Sequence, residues 1–545
     1  MQQSQTGLPV IGYWLPGGRQ PAFGPMQLGA VAHEFREPMY VIRDEASGAV
    51  GAAVGGSFTS VRPAAPAVSY PALSVLAPIY PEWLGDRSFQ EVHCVRFAYI
   101  AGEMANGIAT EQMVIAMARN RMLGFFGSAG LPISRVERAI DTIQAAIGDQ
   151  PWGVNLIHTP NEPKMEEKLV DLYIAKNVRR ISASAFMSIT PAIVTYAAKG
   201  LRRLADGSVQ RRHFLFAKIS RPELASQFMS PPSLKLLEQL VQQGKITPDE
   251  ANCAAELPIA EDITVESDSG GHTDNRPLGP LFSAVLEERR RCTAKYAYAR
   301  PIRCGIAGGI GTPAAAAAAF AQGASYIMVG SVNQSAIESG LSVAGKEMLA
   351  QAVISDVTMA PAADMFEQGV KVQVMKRGTL FSARGYQLYE IYREYPSLED
   401  IPDGIRRKIE ETVFRAPLED IWAHTVSFFR DREPSQIERA ERDPKHKMAL
   451  VFRWYLGNAS RWAIIGEPGR EMDYQIWCGP AMGAFNAWVK DTWLESPSNR
   501  TVAQIALNLL EGAAAIGRAQ QLRMYGAAIP LDSFQFAPRR FAIDS

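Results

Sequence analysis

From about residue 94 to residue 330, short apolar runs alternate with amphipathic or alanine-rich stretches. Such an alternation is typical of strand–helix repeats. Eight strand–helix repeats over about 240 residues predict an α/β fold, a (β/α)8 TIM barrel, with a doubly wound open sheet as the alternative. The predicted strands are 96–101, 121–126, 152–157, 179–184, 213–219, 262–267, 301–306 and 325–330.

The N-terminal region, residues 1–90, has a different pattern and is predicted to be a small β-containing region. Met39–Arg43 and Val50–Val54 can pair as a hairpin across Asp44–Gly48, where turn-forming residues cluster. Residues 60–74, rich in proline, alanine and serine, are predicted to be a linker.

The barrel is expected to occupy residues 91–360, with a helical insertion near 220–260, where the spacing between strands is longer than one crossover helix needs. Beyond about residue 360 the alternation stops. Residues 403–457 and 501–524 have helix-like patterns, so 361–545 is predicted to be a mostly helical domain that binds substrate or a partner.

Composition narrows the function classes. The chain has 56 Lys and Arg residues against 56 Asp and Glu residues, so no global positive field favours nucleic acid. Its five cysteines form no C-x-x-C pair, and neither a metal site nor a disulfide framework is expected. No secretory leader and no run of about 18 apolar residues is evident, which predicts a cytoplasmic protein without a membrane span.

Residues 301–331 contain two glycine-rich strand ends joined by one predicted helix. Ala307, Gly308 and Gly309 end the seventh strand, and Gly330 and Ser331 end the eighth. Glycine lets backbone N–H groups approach a ligand closely, and Thr-Pro after the first site is typical of a helix start with its positive dipole end. Since barrels often bind phosphate after strands 7 and 8, we expect a phosphate site here rather than two structural turns.

The segment ESDSGGHTDNRP (266–277) follows the sixth strand and faces the same rim. Gly270 and Gly271 again allow close backbone approach to a ligand. His272 is the candidate for proton transfer, because an imidazole titrates near neutral pH. A surface histidine bonded to Asp268 or Asp274 is the alternative.

Two further segments carry candidate binding residues. AGEMANGIAT (101–110) follows the first strand, and its small residues allow a flat ring to lie on the backbone. Asn155 is a polar residue within the apolar strand GVNLI, and a buried amide needs a hydrogen-bond partner, either a ligand or a strand-end cap.

Taken together and in this order, these motifs resemble the superfamily of nitronate monooxygenases and flavin-dependent enoyl-acyl-carrier-protein reductases. Four longer stretches, 102–110, 266–277, 360–392 and 441–463, extend the similarity over nearly the whole chain. They resemble the D subunit of polyunsaturated fatty acid synthases and, equally, the trans-acting enoyl reductases of polyketide synthases. Asp268 and Ser269 stand where the wider superfamily has glutamate and alanine, and the Asp-Ser-Gly-Gly-His form favours the specialised reductase.

The resemblance implies FMN as cofactor, NADPH or NADH as electron donor, and reduction of an enoyl thioester on an acyl carrier protein. It does not choose between the polyketide and the fatty acid pathway, and a homodimer stays open. By family position His272 lies near the flavin face, as the catalytic residue. The implied cofactor-binding residues are Gly102, Glu103, Met104, Asn155, Gly270, Gly271, Ala307, Gly308, Gly309, Gly330 and Ser331.

The segment 370–385 places Lys376, Arg377 and Arg384 beside an apolar strand. These cations could receive a phosphopantetheine arm or an acidic carrier protein, and a solvated basic loop is the alternative. Three other functions stay open at this point: an oxygen-dependent nitronate monooxygenase, a catalytically silent flavoprotein scaffold of a synthase, and a phosphate-binding barrel isomerase.

Overall fold

The computed structural model describes residues 8–64, 67–159 and 163–544. The start of the predicted N-terminal region and two residues of the predicted linker lie outside these ranges. The chain forms two compact units that do not follow chain order. One contains residues up to 98 together with 312–327 and 503–543, and the other contains 99–311, 328–502 and 544.

The strands of the described residues have the following bounds: β1 Gly12–Leu15, β2 Met39–Arg43, β3 Val50–Val54, β4 Ser57–Thr59, β5 Tyr70–Leu76, β6 Tyr99–Ala101, β7 Leu123–Phe126, β8 Gly153–Ile157, β9 Arg180–Ser184, β10 Arg202–Arg203, β11 Val209–Gln210, β12 Phe214–Ile219, β13 Asp262–Glu266, β14 Gly271–His272, β15 Arg303–Ala307, β16 Ile327–Val329, β17 Val357–Pro361 and β18 Lys371–Met375.

The α-helices of the same residues have these bounds: α1 Pro25–Ala32, α2 Arg87–His93, α3 Glu111–Arg119, α4 Ile133–Ile147, α5 Pro163–Ala175, α6 Pro191–Ala198, α7 Pro222–Phe228, α8 Leu234–Gln242, α9 Pro248–Ala254, α10 Leu278–Tyr296, α11 Pro313–Ala321, α12 Val343–Ala350, α13 Phe381–Glu394, α14 Asp403–Ile409, α15 Leu418–Arg432, α16 Pro434–Arg442, α17 Pro444–Ile465, α18 Ala481–Val489 and α19 Val502–Met524.

The first unit contains an antiparallel sheet with strand order β3-β2-β5-β1-β4. The predicted hairpin is confirmed, because β2 and β3 pair in antiparallel register from Met39 opposite Val54 to Arg43 opposite Val50. Ala519 and Leu522 of α19 join the apolar core of this sheet. The linker prediction is wrong for its last five residues, 70–74, because β5 includes them and pairs with both β1 and β2.

The second unit is built on a closed barrel. Its strands follow chain order around the ring, β6, β7, β8, β9, β12, β13, β15 and β16. Every predicted strand overlaps one of these, so the (β/α)8 barrel is confirmed and the open sheet is wrong. From β6 round to β15, neighbouring strands pair in parallel. The carboxyl ends of these strands therefore share one rim.

Helices α7, α8 and α9 occupy the predicted insertion near 220–260, and α14 to α17 and α19 confirm the helix-like patterns in the C-terminal part. The small sheet β14-β18-β17, which the sequence pattern indicates only at β18, lies beyond the barrel strands. The domain boundaries at 90 and 360 stay a prediction.

No helix of the described residues is long and apolar enough to span a membrane.

Candidate active site

Most of the candidate site residues lie in loops that follow barrel strands. Gly102 to Met104 follow β6, Asn155 lies within β8, the His272 loop follows β13, and the two glycine-rich ends follow β15 and β16. Because these strands run in one direction around a closed ring, the sequence-distant loops meet at one rim. The parallel barrel is thus what assembles the site.

The glycine-rich end of β15 has a backbone that favours glycine. Gly308 and Gly309 have φ of 81° and 71°, in the left-handed region where a Cβ is strained. A Cβ on Gly308 would lie 2.7 Å from Ser267 Oγ. A Cβ on Gly330, at the end of β16, would meet no heavy atom of the described residues within 4 Å, apart from its chain neighbours. One glycine is therefore required by packing, and the other borders open space.

Hydrogen bonds join these strand ends. The Gly102 N–H donates to Val329 O at 2.9 Å, which ties the loop after β6 to the end of β16. Ala307 O accepts from the backbone N–H of Ser267 at 2.9 Å and from its hydroxyl at 3.1 Å. Ser331 Oγ accepts from the Gly479 N–H at 3.1 Å. The predicted phosphate-binding ends are thus held by neighbouring loops.

A continuous polar chain crosses the carboxyl-terminal part of the barrel. Asn155 Nδ2 donates to Ser182 O at 3.1 Å, and Ser182 Oγ donates to Glu103 Oε1 at 2.9 Å. Lys218 Nζ then lies 3.1 Å from Glu103 Oε1 and 3.2 Å from Glu266 Oε1. The other oxygen of Glu103, Oε2, is buried and has no hydrogen-bond partner among the described residues.

Lys218 is a largely buried cation, with 16 % of its side chain exposed, between two carboxylates. Burial lowers its pKa, but the charges of Glu103 and Glu266 outweigh burial, and the net effect is a raised pKa. The pKa of Glu266 is raised, mainly by burial, while Lys218 opposes that shift. The ammonium group therefore stays charged at neutral pH and supplies positive charge at the barrel mouth.

His272 is positioned by an added strand rather than by the barrel itself. It lies in β14, opposite Val372 of β18, and its Nε2 is 3.2 Å from Asp364 Oδ1. About a third of the side chain, 31 %, is exposed. Burial lowers the pKa of His272, but the hydrogen bond and charge of Asp364, with the charge of Glu266, raise it overall. Partial desolvation raises the pKa of Asp364, whose side chain is 53 % exposed, but the hydrogen bond and charge of His272 lower it overall.

Gly270 and Gly271 are in contact with the segment around Cys478. A Cβ on Gly270 would lie 2.8 Å from the Cys478 nitrogen, so protein packing by itself accounts for this glycine. The nearest atom to a Cβ on Gly271 would be in the Trp477 ring, 3.9 Å away. Close approach of a ligand to this pair stays a prediction.

The sequence alternative, a bond from His272 to Asp268 or Asp274, is wrong, because the imidazole bonds to Asp364 instead. Asp268 has other partners. It accepts from Gln373 Nε2 at 2.7 Å and from Asn275 Nδ2 at 2.9 Å, which holds the loop against β18.

Met104 is half-buried in the loop after β6, where its carbonyl accepts from Ala109 N–H at 3.1 Å.

The three candidate cations of residues 370–385 have different surroundings. Lys376 is exposed at the end of β18. Arg377 is half-exposed and lies 3.4 Å from Asp356 Oδ2. Arg384 pairs with the fully buried carboxylate of Asp473, so its charge is already used within the protein.

Sequence reasoning missed Lys218, Glu266, Ser182 and Asp364. Lys218 left a signal, a charged residue within the apolar strand FLFAKI, and Glu266 ends the next strand. Asp364 left none, because it is an ordinary loop aspartate that only the β17–β18 sheet brings to the imidazole. No group of three His, Cys, Asp or Glu side chains within the described ranges could hold a metal ion.

Comparison with known proteins gives two family matches. Residues 87–393, more than half of the chain, match the model described as nitronate monooxygenase. Residues 395–474 match the model described as the inserted helical domain of acyl-carrier-protein S-malonyltransferase.

Two curated relatives belong to synthase systems. The chain is 46 % identical over 447 residues to a polyunsaturated fatty acid synthase component of Thraustochytrium sp., covering 81 % of this chain and 30 % of that protein. It is 43 % identical over 463 residues to polyketide biosynthesis protein PksE of Bacillus subtilis, covering 85 % of this chain and 60 % of that protein. The chain thus spans less than two thirds of either relative.

Among solved structures, the enoyl reductase domain of MlnA from the macrolactin biosynthesis cluster of Bacillus amyloliquefaciens is similar to this chain. The two have a TM-score of 0.78 and 38 % sequence identity. The match covers 81 % of this chain and 99 % of that domain.

Proposed function

This chain belongs to the nitronate monooxygenase family, and from that premise we propose that it is an FMN-dependent enoyl reductase. Its substrate is an α,β-enoyl thioester on an acyl carrier protein of polyketide or polyunsaturated fatty acid biosynthesis, with NADPH or NADH as electron donor. The similarity to an enoyl reductase domain over 99 % of that domain supports this choice within the family.

The residues at the barrel rim fit the phosphate of FMN. The left-handed backbone at Gly308 and Gly309 turns the chain at the end of β15, and a Cβ on Gly330 would point into open space. A phosphate needs clustered N–H donors and room for its oxygens. Gly308, Gly309, Gly330 and Ser331 would hold that group.

The polar chain across the barrel mouth fits the ring part of FMN. Glu103 Oε2 is a buried acceptor with no partner among the described residues, so a ligand N–H would satisfy it. Lys218 supplies a fixed positive charge beside it, held at 3.1 Å from the same carboxylate. With Gly102, Met104 and Asn155, these residues would contact the isoalloxazine and its ribityl chain.

FMN, when bound, supplies hydride transfer from the nicotinamide donor to the β-carbon of the enoyl thioester. His272 then acts as general acid or hydrogen-bond donor, giving a proton to the α-carbon or stabilising charge on the thioester oxygen. Asp364 accepts a hydrogen bond from the imidazole at 3.2 Å, which orients the ring. It also raises the pKa of His272, so the ring is protonated more readily than it would be without this partner. The pairing of His272 with Asp364, on the loop that follows a barrel strand, is the observation that carries the proposal.

The test is anaerobic. FMN-loaded protein is mixed with NADPH and a crotonyl carrier protein, and both NADPH absorbance and the acyl product are followed. We expect oxidation of NADPH that depends on the enoyl thioester and yields the saturated acyl group. Thioester-independent oxidation, or no oxidation, would contradict the proposal.

A second candidate is an oxygen-dependent nitronate monooxygenase, favoured by the description of the matching family model. It needs oxygen and a nitronate, and no nicotinamide donor or carrier protein. Oxygen consumption with a nitronate, without anaerobic thioester reduction, would establish it. A silent flavoprotein scaffold would show neither activity, although FMN would still bind.

A further inference from the structure

A cleft of about 380 Å³ opens at the end of the barrel opposite the candidate active site. Its walls come from segments that immediately precede β8, β9 and β12, and therefore from the amino ends of those strands. The volume is in the range of small-molecule sites. The lining residues are Asp149, Asn177, Arg179, Gly200, Arg202, Gln210, Arg211 and Arg212.

Two guanidinium groups of this cleft are oriented by neutral partners. Arg212 donates to Asn177 Oδ1 from Nε at 3.3 Å and from Nη2 at 3.0 Å. Arg202 Nε donates to Gln210 Oε1 at 2.6 Å. An amide oxygen fixes the direction of a guanidinium but leaves its charge uncompensated and its remaining N–H donors available.

Neighbouring arginines show the contrasting arrangement. Arg203, beside Arg202, pairs with Glu256 at 2.5 Å, and the buried Arg211 pairs with Glu261 at 3.1 Å. Across the described ranges, no carboxylate lies within ion-pair distance of Arg179, Arg202 or Arg212. Among these neighbouring arginines, the three without a carboxylate partner all line the cleft.

Close packing of side chains holds one wall of the cleft in place. A Cβ on Gly200 would lie 2.8 Å from Cδ of Arg212, so the arginine stem packs directly against this glycine. Arg211 contributes a wall whose side chain is only 2 % exposed. A guanidinium whose stem is packed in this way, as that of Arg212 is, loses less conformational entropy when a ligand binds.

Charge identifies the class of ligand. Three uncompensated guanidinium groups against the single carboxylate of Asp149 leave an excess of two positive charges. A phosphate monoester carries about −1.5 to −2 at pH 7, and its three oxygens match guanidinium forks. We propose that this cleft binds the phosphate monoester group of a small organic molecule, separately from the reaction at the other end of the barrel.

The test is calorimetric titration of the FMN-loaded full chain with AMP as the probe, and with adenosine as the matched ligand without phosphate. We expect AMP to bind, adenosine not to bind, and Arg179→Gln/Arg212→Gln to weaken AMP binding at least tenfold. Arg203→Gln is the control, since that neighbouring arginine is compensated by Glu256 and does not line the cleft. Thermal unfolding verifies folding, and Arg202→Gln replaces the double variant if that variant does not fold.

Equal AMP affinity in the wild type and the double variant would overturn the proposal, because AMP would then be binding elsewhere. No AMP binding would also overturn it. A phosphoserine peptide forms the third arm: if it binds and AMP does not, the cleft serves a modified protein segment, and the small-molecule proposal is wrong. Enoyl reductase turnover is measured in parallel, and its failure would concern only the function proposed for the other rim.

Discussion

The imidazole Nε2 of His272 lies 3.2 Å from Oδ1 of Asp364, a residue that the chain reaches only after two further barrel strands. The carboxylate belongs to the segment after β17, and the histidine to the short strand β14, which pairs with β18. A three-stranded sheet outside the barrel thus brings this imidazole and this carboxylate together at the rim of the barrel.

For Asp364→Asn, we expect the pH profile of kcat to shift to lower pH. The hydrogen bond and charge of Asp364 raise the pKa of His272 against burial, so their loss lowers that pKa. The limb of the kcat profile that needs protonated His272 should then shift to lower pH, with kcat reduced about tenfold at neutral pH. The shift is measured from steady-state rates across the pH range. An unchanged profile would exclude this role of Asp364.

The same variant should change the pH dependence of stability. Because the pKa of His272 is raised in the folded protein, its interaction with Asp364 stabilises the fold fully at pH values below the pKa of the unfolded chain. This stabilisation is lost as pH rises through the pKa of the folded protein. Because the pKa of Asp364 is lowered in the folded protein, its carboxylate stabilises the fold fully at pH values above the pKa of the unfolded chain. This stabilisation is lost as pH falls through the pKa of the folded protein. Urea unfolding should therefore separate Asp364→Asn from wild type most between the ordinary pKa of aspartate and that of histidine.

For His272→Ala, we expect turnover on a crotonyl carrier protein to fall at least about 100-fold, because a positioned general acid is lost. Bound FMN should stay at the wild-type level, as judged by flavin absorbance, since the glycine-rich ends are untouched. His424→Ala removes an exposed histidine of α15 and should be neutral for both. Unchanged turnover in His272→Ala would remove this residue from the mechanism.

For Lys218→Met, we expect a loss of about 3 kcal/mol in the free energy of unfolding at neutral pH. Two buried carboxylates, those of Glu103 and Glu266, would face each other without their cation. The loss should shrink in acid, where the carboxylates take up protons. Lys176→Met is the control, since Lys176 bridges Glu137 and Asp141, whose side chains are 46 % and 54 % exposed, and should cost less than about 1 kcal/mol.

Gly330→Ala tests the proposed phosphate site without disturbing the fold. The new methyl group meets no protein atom within 4 Å, so the melting temperature should stay close to wild type. FMN should bind at least tenfold more weakly, because the methyl group enters the space proposed for the phosphate. Gly457→Ala, equally free of contacts but within helix α17, should leave FMN binding unchanged. Equal FMN affinity in both variants would place the phosphate elsewhere.

Lys376→Glu/Arg377→Glu tests the proposed carrier-protein contact. We expect KM for the carrier-bound substrate to rise about tenfold, with little change for a small enoyl thioester, since only the carrier is acidic. Arg290→Glu reverses an exposed charge of α10 and is the matched control. A rise in KM for both substrates would show that the variant disturbs the reaction centre instead.

The sequence predicted the parts of this protein that depend on local pattern. Apolar runs predicted all eight barrel strands because parallel strands buried on both faces are apolar along their length. Gly308 and Gly330 were recognisable because glycines at the ends of two successive strands are typical of a backbone that a ligand approaches closely. The linker prediction failed at residues 70–74, which lie in β5, because the stability of this strand comes from pairing with β1 and β2.

The sequence by itself determined the barrel, the order of its strands and the rim to which the glycine-rich ends and His272 belong, because these follow from hydrophobic pattern and the direction of parallel strands. Only the tertiary structure decided that Lys218 lies between Glu103 and Glu266, and that Asp364 meets His272. The sequence around a charged residue does not identify the residue with which it pairs. Its pKa and its role depend on distances of a few ångströms, which are set when distant strands close into a ring.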